Sequence, residues 1–378
     1  MRLWRYCLAG FLFNLLAFVF WTVVPIRAVN LGASSTQLAL LQTSSSVVYV
    51  LSALFSGGLS DRVSRSLLAK LSTALGIVAC AATVYIDSLK YLYLVAPLLG
   101  FAGSIYWPSI QGAVGAESEP SRVERSIGWF NVSWSVGKTL GFVVAGWLAS
   151  QPQGQSLALW VAAGICIPIL GLYPADKVVP REGLPEPGRS DTAVFRTIGY
   201  VANFLAFGAG NVFSNQFYKY AEKSGIGGGH PETLFGLVLG AIYGTQTLMF
   251  VVLQRGSSWT YRRGLLYGAQ LLAGGAAVAV TFVSADAALI AAAALVGIGL
   301  GFANASSIYY SLHGPANHGK YAGVHEAVLG AGSFLVPLAG GALADLNHDL
   351  RMPYWLVGGA TLTVLAIEEV VYRRRLRS

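Results

Sequence analysis

Charge is what this chain has least of. Only 11% of its 378 residues are Asp, Glu, Lys or Arg, against about 25% in an ordinary soluble domain. That is too little to coat the two or three soluble domains that such a length would otherwise form. Cysteine is scarcer still. Cys7, Cys80 and Cys166 each sit inside an apolar run, which excludes a disulfide framework and a cysteine metal cluster. The chain contains no Gly-x-x-x-x-Gly-Lys-Ser/Thr phosphate cradle and no His-Glu-x-x-His. Its serines and five histidines show no spacing that implies nucleophilic catalysis. These absences argue against an enzyme and a primary ATP-driven pump, and no cofactor or metal is expected.

What is present is apolar. Hydrophobic residues make up 54% of the chain and 45 residues are glycine; the mean hydropathy is +0.58. The solvent for such a surface is lipid. Spans of about 20 apolar residues cross a hydrocarbon core of about 30 Å, and twelve are expected, at 6–26, 37–58, 67–86, 91–113, 126–149, 156–174, 196–217, 234–254, 264–284, 287–311, 322–344 and 353–372. Membrane strands are excluded, because the runs are too long and do not alternate. The N-terminal apolar stretch runs to about Ile26 with no small-residue cleavage site after it, so it is expected to be a retained first span.

The connecting loops set the orientation. With the N-terminus inside, nineteen Lys and Arg fall in inside segments and five (Arg27, Lys90, Lys219, Lys223 and Arg351) in outside ones; with Lys138 in the membrane these make up all 25. Such a bias predicts a multi-pass cell-membrane protein with both termini cytoplasmic. It also accounts for the net charge of +8 without nucleic acid, and the "RRRLRS" end reads as a membrane-surface anchor. The longest hydrophilic connection, 174–196, is rich in Pro, Gly and charge. It divides the chain into a six-helix bundle at 1–174, a cytoplasmic linker at 175–195 and a second six-helix bundle at 196–378.

The two halves repeat. At an offset of 195, "IGWFNVSWSVGKTLGFVVAGWLA" from Ile127 meets "AGVHEAVLGAGSFLVPLAGGALA" from Ala322 with six identities, including Gly128 with Gly323, Gly137 with Gly332 and Gly146 with Gly341. Glycines have a physical role here, since small residues let helix backbones approach closely in lipid.

The polar decapeptide "GGLSDRVSRS" between the second and third spans is similar to the Gly-x-Leu-Ala-Asp-Arg-x-Gly-Arg-Arg/Lys signature of the major facilitator superfamily. Gly58, Leu59, Asp61, Arg62 and Arg65 match, while Ser60, Ser64 and Ser66 depart from it. The resemblance extends over the whole chain. It implies an all-α integral membrane protein with twelve helices in two pseudo-symmetric six-helix bundles, and a cytoplasmic latch built on Gly58, Asp61, Arg62 and Arg65. The plainer reading of the same loop is a solvated turn whose arginines set topology. A second motif, Gly-x-x-x-Gly-Pro-x-x-Gly-Gly of the family's antiporters, is kept in part. Gly137, Gly141 and Gly146 match in the fifth span, with Phe142 and Ala145 replacing Pro and Gly; the eleventh keeps Gly332, Pro337, Gly340 and Gly341, and Val336 replaces a Gly.

In that family the first, second, fourth and fifth spans of each half line the central cavity. Those spans carry nearly all the buried amides and charges here, including Asn14, Asn131, Lys138, Asn211, Gln246, Asn304, His325 and Glu326, whereas the ninth span has one amide, Gln270. Intramembrane polar groups are costly unless they face protein or water, so the asymmetry marks an aqueous path. Tyr49, Trp107 and Tyr243 are candidate cavity walls, and equally ordinary packing residues.

Lys138 lies twelve residues into its helix from Ser126, about 18 Å at 1.5 Å per residue, close to the midplane. It either meets an anionic group of a substrate, or snorkels, or braces a carbonyl beside Gly137 and Gly141. His325 and Glu326 sit in the first turns of the eleventh helix, where a gate with Asn131, a proton relay and simple capping are all open readings. The expected function is a secondary active transporter moving a small organic solute, of anionic character, by alternating access. The alternative is a proton-coupled exporter of drug-like or neutral compounds. Its partners are then the substrate, a proton as candidate coupling ion and the bilayer, and the chain is expected to work as a monomer. A scaffold would need neither a polar midplane nor a repeat.

Overall fold

A computed structural model describes residues 3–60, 63–117, 123–173, 191–312 and 318–376. Its elements are helices α1 (Leu3–Asn30), α2 (Ser35–Ser60), α3 (Arg65–Val84), α4 (Leu89–Glu117), α5 (Val123–Ala149), α6 (Gly154–Cys166), α7 (Thr192–Lys223), α8 (Pro231–Leu253), α9 (Arg263–Ala279), α10 (Asp286–Leu312), α11 (His318–Asn347) and α12 (Met352–Leu376). Helices α6 and α9 each end in a 3₁₀ segment, Ile167–Gly171 and Val280–Phe282. Among the described residues, ten helical segments are long and apolar enough to cross a membrane. Each expected span lies on a helix, as lipid requires of a segment that must satisfy its backbone groups internally, although α2 and α7 are not among those ten. Most of the expected linker, 174–190, lies outside the described residues.

The chain forms two compact units: 1–33 with 40–182 and 227–240, and 34–39 with 183–226 and 241–378. In the first, α1 and α5 share the most extensive interface; in the second, α7 and α11 do. Both interfaces depend on glycine. A methyl group on Gly137 of α5 would strike the Phe11 carbonyl of α1, and one on Gly332 of α11 would strike the Phe204 carbonyl of α7. The glycines that match in sequence thus do the same work in space.

One turn further along each seam the small residue changes sides. In the first unit Gly141 of α5 faces Leu15 of α1, with a built Cβ 2.9 Å from the Leu15 carbonyl. In the second, Gly208 of α7 faces Val336 of α11, where a built Cβ would lie 2.5 Å from a valine methyl. The valine that breaks the motif in the eleventh span is accommodated by the glycine opposite it. The repeat extends to the helix ends. Gly32 and Gly225 each lie 21 residues past those two phenylalanines and close α1 and α7 with positive φ, +82° and +68°. At both, the next residue donates back five positions (Ala33 to Ala28, Ile226 to Ala221, each 2.9 Å), the glycine-dependent arrangement that caps the last carbonyls of a helix.

The start of α2 is capped twice. Ser34 and Gln37 exchange side-chain and backbone bonds, Ser34 N to Gln37 Oε1 at 2.8 Å and Gln37 N to Ser34 Oγ at 3.2 Å. Asp345 of α11 then accepts from Ser35 N at 2.9 Å, Thr36 N at 2.8 Å and the Ser34 hydroxyl at 2.7 Å. The first-turn donors of Ser35, Thr36 and Gln37 are thereby satisfied, and the carboxylate complements the helix dipole.

The glycine seams can be tested directly. Gly137→Ala and Gly332→Ala are each expected to cost about 1–3 kcal/mol of stability in detergent, the usual cost of overpacking. Gly164→Ala and Gly359→Ala, where a methyl meets nothing within 4 Å, should leave thermal unfolding unchanged or slightly improved.

Candidate functional site

Lys138 follows Gly137 directly on α5, so the closest point of the α1–α5 seam also fixes the lysine. Its side chain is only 8% exposed, and the ammonium stands 4.6 Å from the centroid of the Phe18 ring on α1. An aromatic face at that range attracts a cation and offsets part of its desolvation. Phe18 itself leans on Phe142, with ring centroids 5.0 Å apart.

The equivalent place in the second unit has different chemistry. Counting from the two glycine contacts, Lys138 corresponds to Ser333 and Phe18 to Asn211. Asn211 donates to the Phe207 carbonyl at 2.9 Å and to the Ser333 hydroxyl at 3.2 Å. One repeat therefore holds a cation over a ring where the other holds an amide on a hydroxyl.

The remaining candidates sort into the same two units. In the first, half-buried Trp107 packs edge-on against Tyr106, Phe130 and Trp134, and Trp134 Nε1 donates to Asn131 Oδ1 at 3.0 Å. Tyr49 is half-buried beside Gly103. Asn14 is buried, with its amide donating to its own helix at Gly10 O, 2.8 Å. Of the latch residues, Gly58 lies in the last turn of α2, while Asp61 and Arg62 lie outside the described residues. Arg65 opens α3 after the Ser64 cap and lines a small cavity with Tyr6, Ser66, Ser109 and Tyr173.

In the second unit, buried Tyr243 pairs with Ser214 at 3.3 Å, buried Gln246 has an Oε1 without a hydrogen-bond partner, and Asn304 is half-buried. His325 is buried with Nδ1 2.7 Å from the Ser307 hydroxyl, whereas its neighbour Glu326 is exposed. Sequence reasoning passed over three participants: Phe18, Ser307 and Ser333. A plain phenylalanine and two serines carry no signal until the helices are paired.

Twelve helices among the described residues, ten of the helical segments long and apolar enough to cross a membrane, with amides and a lysine held inside, have the architecture of a solute carrier. The chain belongs to the Major Facilitator Superfamily, whose family model matches residues 6–324. Among curated protein sequences none matches it. Solved structures share the fold. The crystal structure of the nucleoside transporter NupG superposes with a TM-score of 0.76 at 11% identity, over 98% of this chain and 100% of that one. A bacterial homologue of the human lysosomal transporter Spinster gives 0.72 at 15% identity in its inward-facing, occupied form, over 99% of this chain and 96% of that one. Its inward-facing, unoccupied form gives 0.67, also at 15% identity, covering 98% and 96%. The chain is thus a multi-pass membrane transporter and not an enzyme.

Ser307→Ala is expected to cost about 1–3 kcal/mol, because it strands a buried imidazole nitrogen. The double variant with His325→Ala should cost less than the sum of the two single ones, and a thermal-unfolding double-mutant cycle reads the coupling.

Proposed function

We propose that this secondary transporter carries a small organic solute bearing an anionic group across the cell membrane by alternating access. Both termini are cytoplasmic in this reading, which rests on the nineteen-to-five distribution of basic residues. Lys138 meets the anionic group. The observation that carries the proposal is a buried lysine about midway along α5, where its own repeat has a serine. A charge at that depth costs several kcal/mol and is kept where it serves transport. A substrate anion would repay that cost, and the Phe18 ring positions the ammonium meanwhile. Substrate sites of such carriers lie near the midplane at the repeat interface.

Detergent-purified protein screened by thermal shift against anionic, neutral and cationic metabolites, beside Lys138→Gln, decides the matter. A ligand at about 100 times its dissociation constant adds roughly 2.7 kcal/mol. Stabilisation by a set of anions that vanishes in Lys138→Gln is the expected result. Stabilisation by neutral or cationic compounds, equal in both proteins, would make Lys138 structural and favour the proton-coupled exporter of neutral compounds.

A further inference from the structure

The second unit buries a carboxylate that solute binding does not use. Glu368, on α12, is 1% exposed, and Gln270, the single amide noted in the ninth span, is 5% exposed on α9. Gln270 Nε2 donates to Glu368 Oε2 at 2.8 Å. The other edge of each group is empty: neither Glu368 Oε1 nor Gln270 Oε1 has a hydrogen-bond partner.

Among the described residues, none offers Glu368 a counter-charge. Arg263 of α9 bonds Glu369, one residue along, at 2.6 Å, and Arg373 bonds the same carboxylate at 2.6 Å. Tyr267 of α9 also reaches Glu369, at 3.5 Å. Tyr372 lies under the Arg263 guanidinium, and Arg196 of α7 lies over the Tyr321 ring. Helix α11 meets α12 at its opposite end, where Gly340 packs on Pro353. The cavity beside Gln270 is lined by small and apolar residues, including Ala206, Gly274, Gly299 and Thr361.

Two buried oxygens that both lack a donor, on side chains already joined at their other edge, need one hydrogen between them. We propose that Glu368 is a proton-binding site, held as a neutral carboxylic acid whose Oε1–H donates to Gln270 Oε1 and closes an acid–amide ring between α9 and α12. Protonation is the whole reaction: one O–H bond forms and the buried charge is cancelled. Loss of the proton removes one of the ring's two hydrogen bonds and leaves an unpaired carboxylate in an apolar seam, so proton binding holds α9 to α12. The site lies between α9 and α12 of the second unit and is independent of the reading of Lys138.

Infrared absorption of the full chain in detergent at about pH 7 tests it. A protonated-carboxyl carbonyl band should be present in the wild type and in Glu369→Gln and lost in Glu368→Gln; no loss overturns the proposal. Thermal unfolding gives a second reading. The native state holds a proton that the unfolded chain sheds, so wild-type Tm should fall as pH rises above about 4.3, by roughly 1.5–2 °C per pH unit until the site itself titrates. Glu368→Gln mimics the neutral acid and should lack this component. Parallel curves for the two proteins, or a Glu368→Gln variant that cannot fold, would overturn the assignment.

Discussion

Two backbone carbonyls, those of Phe11 and Phe204, lie where no side-chain carbon can follow, and the rest of the molecule is arranged around that constraint. In lipid, apolar surface gains little by leaving its solvent, so helices are held by close packing and by the few polar contacts they share. Gly137 and Gly332 bring α1 against α5 and α7 against α11. Ser133 then reaches Cys7 O at 2.6 Å on the first seam, and Asn211 reaches Ser333 on the second. Lys138 gains its place over Phe18 from the same approach, one residue from the contact that creates it.

The repeat explains why that lysine stands out. A duplicated bundle begins with equivalent positions, and packing keeps the seam residues equivalent, or exchanges them in complementary fashion as at Gly141 and Gly208. In one copy the cation lies over an aromatic ring, and in the other the hydroxyl takes an amide donor. The difference between Lys138 and Ser333 is thus a chemical asymmetry on a structural symmetry, and the role proposed for Lys138 rests on it.

The helices were legible from length and hydropathy alone, because a membrane leaves few alternatives to a continuous helix; only the ends moved, by one to several residues. The Gly137–Gly332 correspondence was visible as identity. Its complement at Gly208 and Val336 was not, since a glycine moved to the partner helix looks like a lost motif in a one-dimensional alignment. Glu368 was hidden for another reason. A carboxylate four residues from an expected span end, followed by Glu369 and a run of arginines, reads as solvated, yet the helical rotation of about 100° per residue turns Glu368 inward and Glu369 toward its arginines. The double cap on α2 was half legible: the Ser34–Gln37 spacing is a known helix start, but Asp345 is 311 residues away from Ser34.

The 3₁₀ endings of α6 and α9 have a consequence for the lipid around them. Helix α6 has 13 residues and its 3₁₀ segment 5; α9 has 17 and its segment 3. At about 1.5 Å per α residue and about 2.0 Å per 3₁₀ residue, each reaches roughly 30 Å. Tightening the last turn to 3₁₀ lengthens each helix by roughly 1.5–2.5 Å, to about the hydrocarbon thickness of an average bilayer. The change of pitch is an adjustment for hydrophobic mismatch carried by the helices themselves. The annulus of lipid beside α6 and α9 can then stay at its resting thickness, without thinning to meet two short rods.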